Sequence, residues 1–354
     1  MLLAVLVLFQ LGPLFERAAQ ALQSGDYEAA ERDLIQARKL APSNAAVLAN
    51  LGVVYSKTER YGKAIEAYQA ALKAKPGDPR LLINLGLAHL KQEDYRAALP
   101  LFRQVPTTQA RELEAGCLIF MGEPRKAIAM LEGLASAEPG ALYLLGLAQM
   151  RAGETGKGQR TLDQLLTRAV SPAQAEYLIG KAMLESEYFE QAVEVLSRAV
   201  HRDPNLVEAR LELAKANVSL RRNDEAETLL KEVLAARPSD VEAHYYLGAL
   251  YAQLDREAEA LPHLDKVLAA KPGFWGVHYY YGRLHAAARR YKQALPFLEA
   301  AAKLNPDEMS VWYQLTRTAK ALGMDGRSKE ALANYERLRK ANMAPDSNKP
   351  AEKM

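Results

Sequence analysis

The sequence predicts an all-α chain, a solenoid of about ten antiparallel helix pairs. Three observations lead to this fold class: a repeat of small residues mostly 34 positions apart, apolar residues spaced as on one face of a helix, and prolines at regular places where helices must end. The period carries the most weight, because each unit of a repeat array is too small to bury its apolar face alone and needs its neighbours to cover it.

A small residue marks the first helix of each predicted repeat. The first series consists of Ala18, Gly52, Gly86, Ala115, Gly146, Gly180, Ala214, Gly248, Gly282 and Thr316. A second series follows it about twelve residues downstream: Ala30, Ala64, Ala98, Ala127, Gly158, Ala192, Ala226, Ala260, Ala294 and Ala331. The shorter spacings around Ala115 appear in both series, which indicates altered repeats. The spacing to Ala331 predicts three additional residues in the last repeat.

The second repeat shows why two helices are expected. Leu48, Leu51 and Tyr55 fall at i, i+3 and i+7, on one face of a helix that we call helix A. Apolar residues between 64 and 72 repeat this spacing in a helix B, which Pro76 ends because proline lacks an amide donor. The small residues of the two series allow two antiparallel helices joined by a short turn to approach closely.

This pattern resembles the tetratricopeptide repeat family, whose repeats place a large residue, Leu-Gly, Tyr, Ala, an aromatic residue and Pro in this order. The residues that match are Leu48, Leu51-Gly52, Tyr55, Ala64, Tyr68 and Pro76. The resemblance covers about residues 13 to 340 and implies a right-handed superhelical solenoid whose helices A line a concave groove. Two departures lie in the middle, where Pro106 shortens a helix B and Gly158 replaces the family's alanine.

The repeats divide the sequence into five expected parts. They are an apolar N-terminal segment (1–12), repeats one to three (13–106), the irregular repeats four and five (107–172), repeats six to ten (173–340) and a polar tail (341–354) that we expect to be disordered. The first part, MLLAVLVLFQL, has the length of a signal-peptide core and is too short to span a bilayer. It favours export or membrane association on the periplasmic side of a bacterial cell. In the alternative, it extends the first helix of a cytoplasmic protein.

Composition excludes several function classes. Net charge is +3, and the basic residues are interspersed with acidic ones, so we expect no nucleic-acid binding. One cysteine, Cys117, allows neither an internal disulfide nor a multi-cysteine zinc site. No metal-binding motif, phosphate-binding loop or nucleophile-base arrangement stands out, so we expect no metal, no cofactor and no enzymatic activity.

The resemblance implies a scaffold that binds a peptide segment of another protein in the groove. Three groove positions carry the candidate residues. Three residues before the small residue lie Tyr143, Tyr177, Tyr245, Tyr279 and Tyr313; directly after it lie Lys181, Lys215, Arg283 and Arg317; two residues before it lie Asn50 and Asn84. The asparagines correspond to residues that clamp a ligand backbone in peptide-binding relatives, since an amide offers both a donor and an acceptor.

The tyrosine and basic rows favour a partner segment that is acidic or rich in aromatic residues. For both sets of residues a packing role is the alternative, with the tyrosines half-packed on a neighbouring helix. At the level of function, the alternative is a structural element that assembles with copies of itself or with a membrane-associated complex. The oligomeric state is left open by the sequence.

Overall fold

The computed structural model describes residues 2–134, 139–168 and 171–343. In these ranges the chain is α-helical and contains no strand, which confirms the all-α prediction. The chain forms two compact units, residues 1–186 and residues 187–354. Each unit is described by itself below.

The first unit contains the helices α1 to α12 within its described residues. They are α1 Leu2–Ser24, α2 Tyr27–Leu40, α3 Ala45–Lys57, α4 Tyr61–Ala74, α5 Pro79–Leu90, α6 Tyr95–Phe102, α7 Thr108–Phe120, α8 Pro124–Leu131, α9 Pro139–Arg151, α10 Thr155–Asp163, α11 Leu165–Arg168 and α12 Pro172–Glu185. Up to α10, odd-numbered helices are helices A and even-numbered ones are helices B. α11 is a single turn, and α12 is again a helix A.

The second unit contains the helices α13 to α21 within its described residues. They are α13 Phe189–Arg202, α14 Val207–Ser219, α15 Asn223–Ala236, α16 Val241–Gln253, α17 Glu257–Ala270, α18 Trp275–Ala287, α19 Tyr291–Leu304, α20 Met309–Ala321 and α21 Asp325–Met343. Here the even-numbered helices from α14 to α20 are helices A, and each packs against the helix B that follows it.

Close approach of helix A and helix B explains the small residues. A Cβ atom added at Gly86 would lie 2.5 Å from a ring carbon of Phe102, which is only 1% exposed. At Gly146 the added atom would lie 2.4 Å from Leu162, which is fully buried. Contacts of this length are shorter than van der Waals distances, so a larger side chain would separate the two helices.

The buried partner of the small residue is also periodic. It lies sixteen positions after the small residue, and it is at most 2% exposed in Leu34, Tyr68, Phe102, Leu131, Leu162, Leu196, Leu230, Leu264 and Leu298. The equivalent residue of the last pair, Leu332, is 41% exposed. No helix follows α21 within the described residues to cover it.

The turn between helix A and helix B has one conformation throughout. The residue seven positions after each small residue has a positive φ, between 55° and 83°. These residues are Gly25, Glu59, Glu93, Gly122, Gly153, Glu187, Arg221, Asp255, Arg289 and Gly323. Glycine adopts this left-handed conformation without a steric penalty, whereas a side chain at Cβ is strained there by about 1 kcal/mol.

In the second unit, each loop between a helix B and the next helix A is fixed by one hydrogen bond. The carbonyl oxygen of a proline accepts it from the side chain six residues later. The four pairs are Arg210 to Pro204 at 2.6 Å, His244 to Pro238 at 3.0 Å, His278 to Pro272 at 2.7 Å and Trp312 to Pro306 at 2.7 Å. The donor is a guanidinium, an imidazole or an indole. The residue six positions after the proline therefore needs a side chain long enough to bring an N–H group to the proline carbonyl.

The irregular middle agrees in part with the expected departures. Helix α6 has only eight residues and ends at Phe102, before Pro106, as predicted. At Gly158 an added Cβ would lie 2.9 Å from the carbonyl oxygen of Gly146. A backbone atom cannot move aside like a flexible side chain, so α9 and α10 approach too closely there even for the alanine that the other repeats carry.

The prediction of three additional residues in the last repeat is wrong. Helix α21 begins at Asp325, and the Ser328 hydroxyl donates to the carbonyl oxygen of Thr316 at 3.2 Å. Ser328 therefore occupies the position opposite the small residue, twelve residues after it as in most other repeats. Ala331, which the sequence reading placed there, is buried nearly one turn further along the helix.

At the N-terminus α1 runs without a break from residue 2 through Pro13 to Ser24. The predicted apolar segment 1–12 therefore belongs, from residue 2 onward, to the same helix as the start of the first repeat. Within the described part of the chain, no helix combines the length and the apolar character needed to cross a bilayer. Residues 341–343 of the predicted disordered tail belong to helix α21, and the rest of the tail, from 344 onward, lies outside the described residues.

Candidate functional site

Asn50 and Asn84 lie on the neighbouring helices α3 and α5 of the first unit, two residues before a close-packed glycine in each case. Both side chains are half-buried. Among the described residues, neither amide has a hydrogen-bond partner. Since α3 and α5 contact each other, the structure places two half-buried amides on adjacent helices A, each with a donor and an acceptor to offer.

The predicted residues on α9 and α12, also in the first unit, are already engaged within the chain. Tyr143 and Tyr177 are half-buried, and both take part in interactions within the chain. Lys181 forms a long ion pair of 4.0 Å with Glu185 one turn further along α12. These three residues are positioned on contacting helices, but none stands out as an open binding group.

In the second unit, the tyrosines belong to a larger aromatic cluster on α16 and α18. Tyr245 lies at its centre, with ring centroids 4.8 Å from Phe274, 5.3 Å from Tyr246 and 5.9 Å from Tyr280, all edge to face. Tyr279 extends the cluster, 5.1 Å from Tyr280. Edge-to-face pairs at these distances add to the gain from burial, so the cluster is a rigid platform.

Burial acts in the same direction on two hydroxyl groups of this cluster. Burial raises the pKa of Tyr245 and of Tyr280, so both phenols stay neutral and able to donate a hydrogen bond. Tyr280 accepts a hydrogen bond at 3.0 Å from the amide of Gln253. A Cβ at Gly276 would lie 2.8 Å from the hydroxyl oxygen of Tyr245, so glycine is what allows this tyrosine to fit.

Lys215, on α14, lies between two carboxylates. Its ammonium group is 2.8 Å from Glu212 and 2.9 Å from Glu242, and the side chain is 19% exposed. Burial by itself would lower the pKa of Lys215, but the two carboxylates outweigh it and the pKa is raised. The local charge is therefore negative, and this member of the predicted basic row has no positive charge left to offer an acidic ligand.

The two arginines of the row lie together at the other end of the unit. Arg283 on α18 and Arg317 on α20 line one cleft of about 390 Å³, which we call the arginine cleft. Asp255, Tyr291, Gln314 and Thr318 complete its polar lining. Its charge is positive, because two guanidinium groups face one carboxylate.

Tyr313 is the most accessible of the predicted tyrosines. Its side chain is 45% exposed, and its ring centroid lies 5.7 Å from that of Tyr335 on α21. The guanidinium of Arg317 lies 5.7 Å from the centroid of the Tyr313 ring, one turn along the same helix. This cation–π contact places an aromatic surface directly beside the arginine cleft.

Sequence reasoning missed two features of this surface. Phe274, Tyr246 and Tyr280 belong to the aromatic cluster, and their signal was the run of adjacent aromatic residues at the start of two helices A. The acidic partners of Lys215 were also missed. Glu212 lies three residues before it on the same helix, a spacing that the sequence shows, whereas Glu242 belongs to the next helix A along the chain. Within the described ranges, no group of three His, Cys, Asp or Glu side chains is arranged to hold a metal ion.

Repeated helix pairs with partly exposed polar and aromatic side chains on their helices A define a helical repeat protein of the protein-interaction class. The chain belongs to the tetratricopeptide repeat family: one model of this family matches residues 15–79, 143–207 and 211–273, and a second matches residues 251–319. Residues 57–134 also match the model of subunit 3 of the anaphase-promoting complex, or cyclosome. Among curated proteins, none matches the chain.

Several solved structures are similar to this chain. The match to a chain of the APC/C hetero-tetramer Cut9-Hcn1 covers 93% of this chain and 87% of the other chain, at 14% sequence identity and a TM-score of 0.50. Yeast Tom70 matches 95% of this chain and 92% of its own, at 14% identity and a TM-score of 0.44. MamA from Desulfovibrio magneticus RS-1 matches 49% of this chain and 97% of its own, at 22% identity and a TM-score of 0.40.

Proposed function

We propose that this chain is a non-enzymatic scaffold that binds an extended segment of a partner protein along the helices A of its second unit. The observation that carries the proposal is the aromatic cluster around Tyr245 with the arginine cleft in the same unit. Rigid aromatic rings lose little conformational entropy when a ligand covers them, which is why such residues dominate binding energies at interfaces. The segment that fits is acidic or rich in aromatic residues.

Access of the rings supports a binding role beside the packing role. Tyr279 is half-buried and Tyr313 is exposed, so each presents part of its ring to solvent after all contacts within the chain are made. A ring that packs one face on a neighbouring helix leaves its other face exposed, so the same tyrosine can serve packing and binding. An apolar side chain of the partner can cover these rings while their hydroxyls keep contact with water.

Site-specific crosslinking tests this proposal. A photoreactive phenylalanine analogue is placed at Tyr279 or at Tyr313, and in a control at Lys303, which is exposed on the helix B α19. We expect one partner segment to be crosslinked from the first two positions and not from the third. Equal crosslinking from all three positions would show that the partner does not use the helix A surface.

We further propose that Asn50 and Asn84 form a second contact region in the first unit, where their amides bind the backbone of a partner segment. The position of the two amides on adjacent helices, without a hydrogen-bond partner among the described residues, supports this role. The double variant Asn50→Ala, Asn84→Ala is compared with Gln92→Ala, which removes an exposed amide in the turn after α5. Unchanged partner capture by the double variant would contradict the role.

The exposed apolar side chains near the C-terminal helix pair favour self-association as the alternative function. Leu304, Met324 and Leu332 are 45%, 41% and 41% exposed, and they lie within 30 residues of one another. If the chain is an assembly element, light scattering should show an oligomer that Leu332→Lys converts to a monomer. If the wild-type chain is a monomer and still captures a partner protein, the assembly function is wrong and the scaffold function stands.

Export or membrane association through residues 1–12 stays a proposal, supported by the apolar run at the start of α1. N-terminal sequencing of the protein from fractionated cells tests it. An intact Met1 in the soluble cytosolic fraction would refute it.

A further inference from the structure

The arginine cleft lies within the second unit, between helices α18 and α20. Its walls come from three successive elements: Arg283 on α18, Tyr291 at the start of α19, and Gln314 and Arg317 on α20. All four side chains end in hydrogen-bond donors. A cleft of about 390 Å³ with this lining has the size and chemistry to take one acidic side chain of a peptide.

The charges of the lining select the class of anion. Two guanidinium groups and the carboxylate of Asp255 give the cleft a net charge of +1. Asp255 lies 3.4 Å from Arg283 and is 65% exposed, so this ion pair is weak and exposed to competition from a ligand. A carboxylate carries the single negative charge that balances the cleft, whereas a phosphate dianion exceeds this charge and meets about twice the repulsion from Asp255.

Arg283 is held in place before any ligand arrives. Its Nη2 donates to the backbone carbonyl of Gln253 at 3.1 Å, and the side chain is 25% exposed. Its Nε is buried and has no acceptor. A guanidinium that is already oriented loses little conformational entropy on binding. An unpaired buried donor also favours any acceptor that reaches it.

Arg317 is positioned from a different side and is not neutralised. It is exposed, its guanidinium lies over the ring of Tyr313, and it has no carboxylate partner among the described residues. Lys215 in the same row is paired with two carboxylates. The capacity to bind an acid is therefore concentrated at one end of the helix A surface.

We propose that the arginine cleft is a carboxylate subsite, which binds the side chain of an aspartate or glutamate in the partner segment. Arg317 and Arg283 donate charge-assisted hydrogen bonds to the carboxylate, and Gln314 and Tyr291 add neutral donors. The inference rests on the proposed function, because the segment must first lie along the helices A. It adds the position at which an acidic residue is required.

Peptide selection on the intact chain tests the subsite. Random short peptides are selected for binding, and the dissociation constant of the best peptide is measured by fluorescence anisotropy. We expect an acidic residue at one fixed position of the selected peptides. Arg317→Ala should weaken binding about tenfold, as expected for the loss of a charge-assisted hydrogen bond.

The matched control is Arg339→Ala, which removes the same side chain from an exposed site on α21 and should leave binding unchanged. Replacing the acidic residue of the peptide by its amide should weaken binding to the wild type about tenfold and to Arg317→Ala hardly at all. Restored affinity between Arg317→Glu and a peptide with lysine at the acidic position would complete the assignment.

Each contrary result has a distinct meaning. If peptides bind and Tyr279→Ala weakens them, but no acidic position emerges and Arg317→Ala matches Arg339→Ala, the carboxylate subsite is wrong and the proposed function stands. If phosphoserine at the acidic position binds more tightly than glutamate, the assignment to a singly charged ligand is wrong. If no peptide is selected at all, the subsite and the proposed function both fail.

Discussion

Lowering the pH should weaken the second unit, because it contains two histidines in contact and burial lowers the pKa of both. The Nδ1 atoms of His244 on α16 and His263 on α17 lie 2.7 Å apart. His244 also donates its Nε2 proton to the carbonyl oxygen of Pro238 at 3.0 Å, so its neutral form accepts at Nδ1. The proton between the two rings therefore belongs to His263. A second proton at His244 would place two N–H groups face to face.

The surrounding groups strengthen this preference for the neutral form. Burial, the largest cause, lowers the pKa of His263 together with the charges of His244, Lys266 and Lys231, to about 4. Burial also lowers the pKa of His244, against smaller opposing effects of the Pro238 carbonyl and Asp240. Because the pKa of His263 is lower in the folded chain than its ordinary value near 6.5, its contribution to stability is complete above about pH 6.5 and is lost as the pH falls towards 4.

The size of the effect follows from the two pKa values. Between about pH 7.5 and pH 5 the unfolded chain binds a proton at His263 that the folded chain rejects, which corresponds to about 2 kcal/mol. Partial solvent exposure of His263 screens its interactions, so we expect a loss of about 1 to 2 kcal/mol in the free energy of unfolding.

Tryptophan fluorescence during urea unfolding measures this loss selectively. The only two tryptophans of the chain, Trp275 and Trp312, both lie in the second unit. We expect His263→Gln to lose about 1 to 2 kcal/mol less than the wild type between these pH values. His201→Gln, an exposed site on α13, is the matched control and should behave like the wild type. An identical loss in the wild type and in His263→Gln would refute the reasoning.

Three further predictions concern the repeat itself. Gly86→Ala should lower the free energy of unfolding by about 1 to 2 kcal/mol, since overpacking against Phe102 outweighs the gain in helix propensity. Glu59→Gly should raise it by about 0.5 to 1 kcal/mol, because the φ of 57° strains a side chain but not a glycine. Trp312→Phe should lower it by about 1 kcal/mol through loss of the hydrogen bond to the proline carbonyl. Circular dichroism during urea unfolding measures all three.

Controls exist for each of these changes. A Cβ at Gly62 would meet only a flexible amide at 3.9 Å, so Gly62→Ala should not destabilise the chain, and equal losses at Gly62 and Gly86 would contradict the packing argument. Gly25→Ala should reverse the effect of Glu59→Gly, since its φ is 78°. Trp275→Phe removes an indole whose N–H has no hydrogen-bond partner among the described residues. If Trp275→Phe lowered the free energy of unfolding as much as Trp312→Phe, the loss would come from the smaller ring and not from the hydrogen bond.

The helix pairs could be predicted because their cause is local. Small residues, apolar spacing and prolines lie within one repeat, and the period brings equivalent positions into register. The conformation of the turn between helix A and helix B was not predictable in the same way. Glu59 and Arg221 have charged side chains that give no sign of a left-handed backbone. Only the glycines at the equivalent position of other repeats carry that signal.

The binding surface was predictable to the extent that it repeats. Arg283 and Arg317 were found because they occupy one position in successive repeats, and the structure brings them into one cleft. The neutralisation of Lys215 was not predictable from that position. One carboxylate comes from Glu212 on the same helix, and the second comes from Glu242, which lies on the next helix A and 27 residues away in sequence. Charge pairing between helices is a property of geometry that a repeat alignment does not contain.

The unequal charges along the second unit have a consequence for direction. Glu212 and Glu242 make the α14 end of the helix A surface acidic, and the arginine cleft makes the α20 end basic. A bound segment with opposite charges at its two ends therefore prefers one orientation, because the reversed segment would meet like charges at both ends. The scaffold then distinguishes a peptide from the peptide with the reversed sequence, although the two have the same composition.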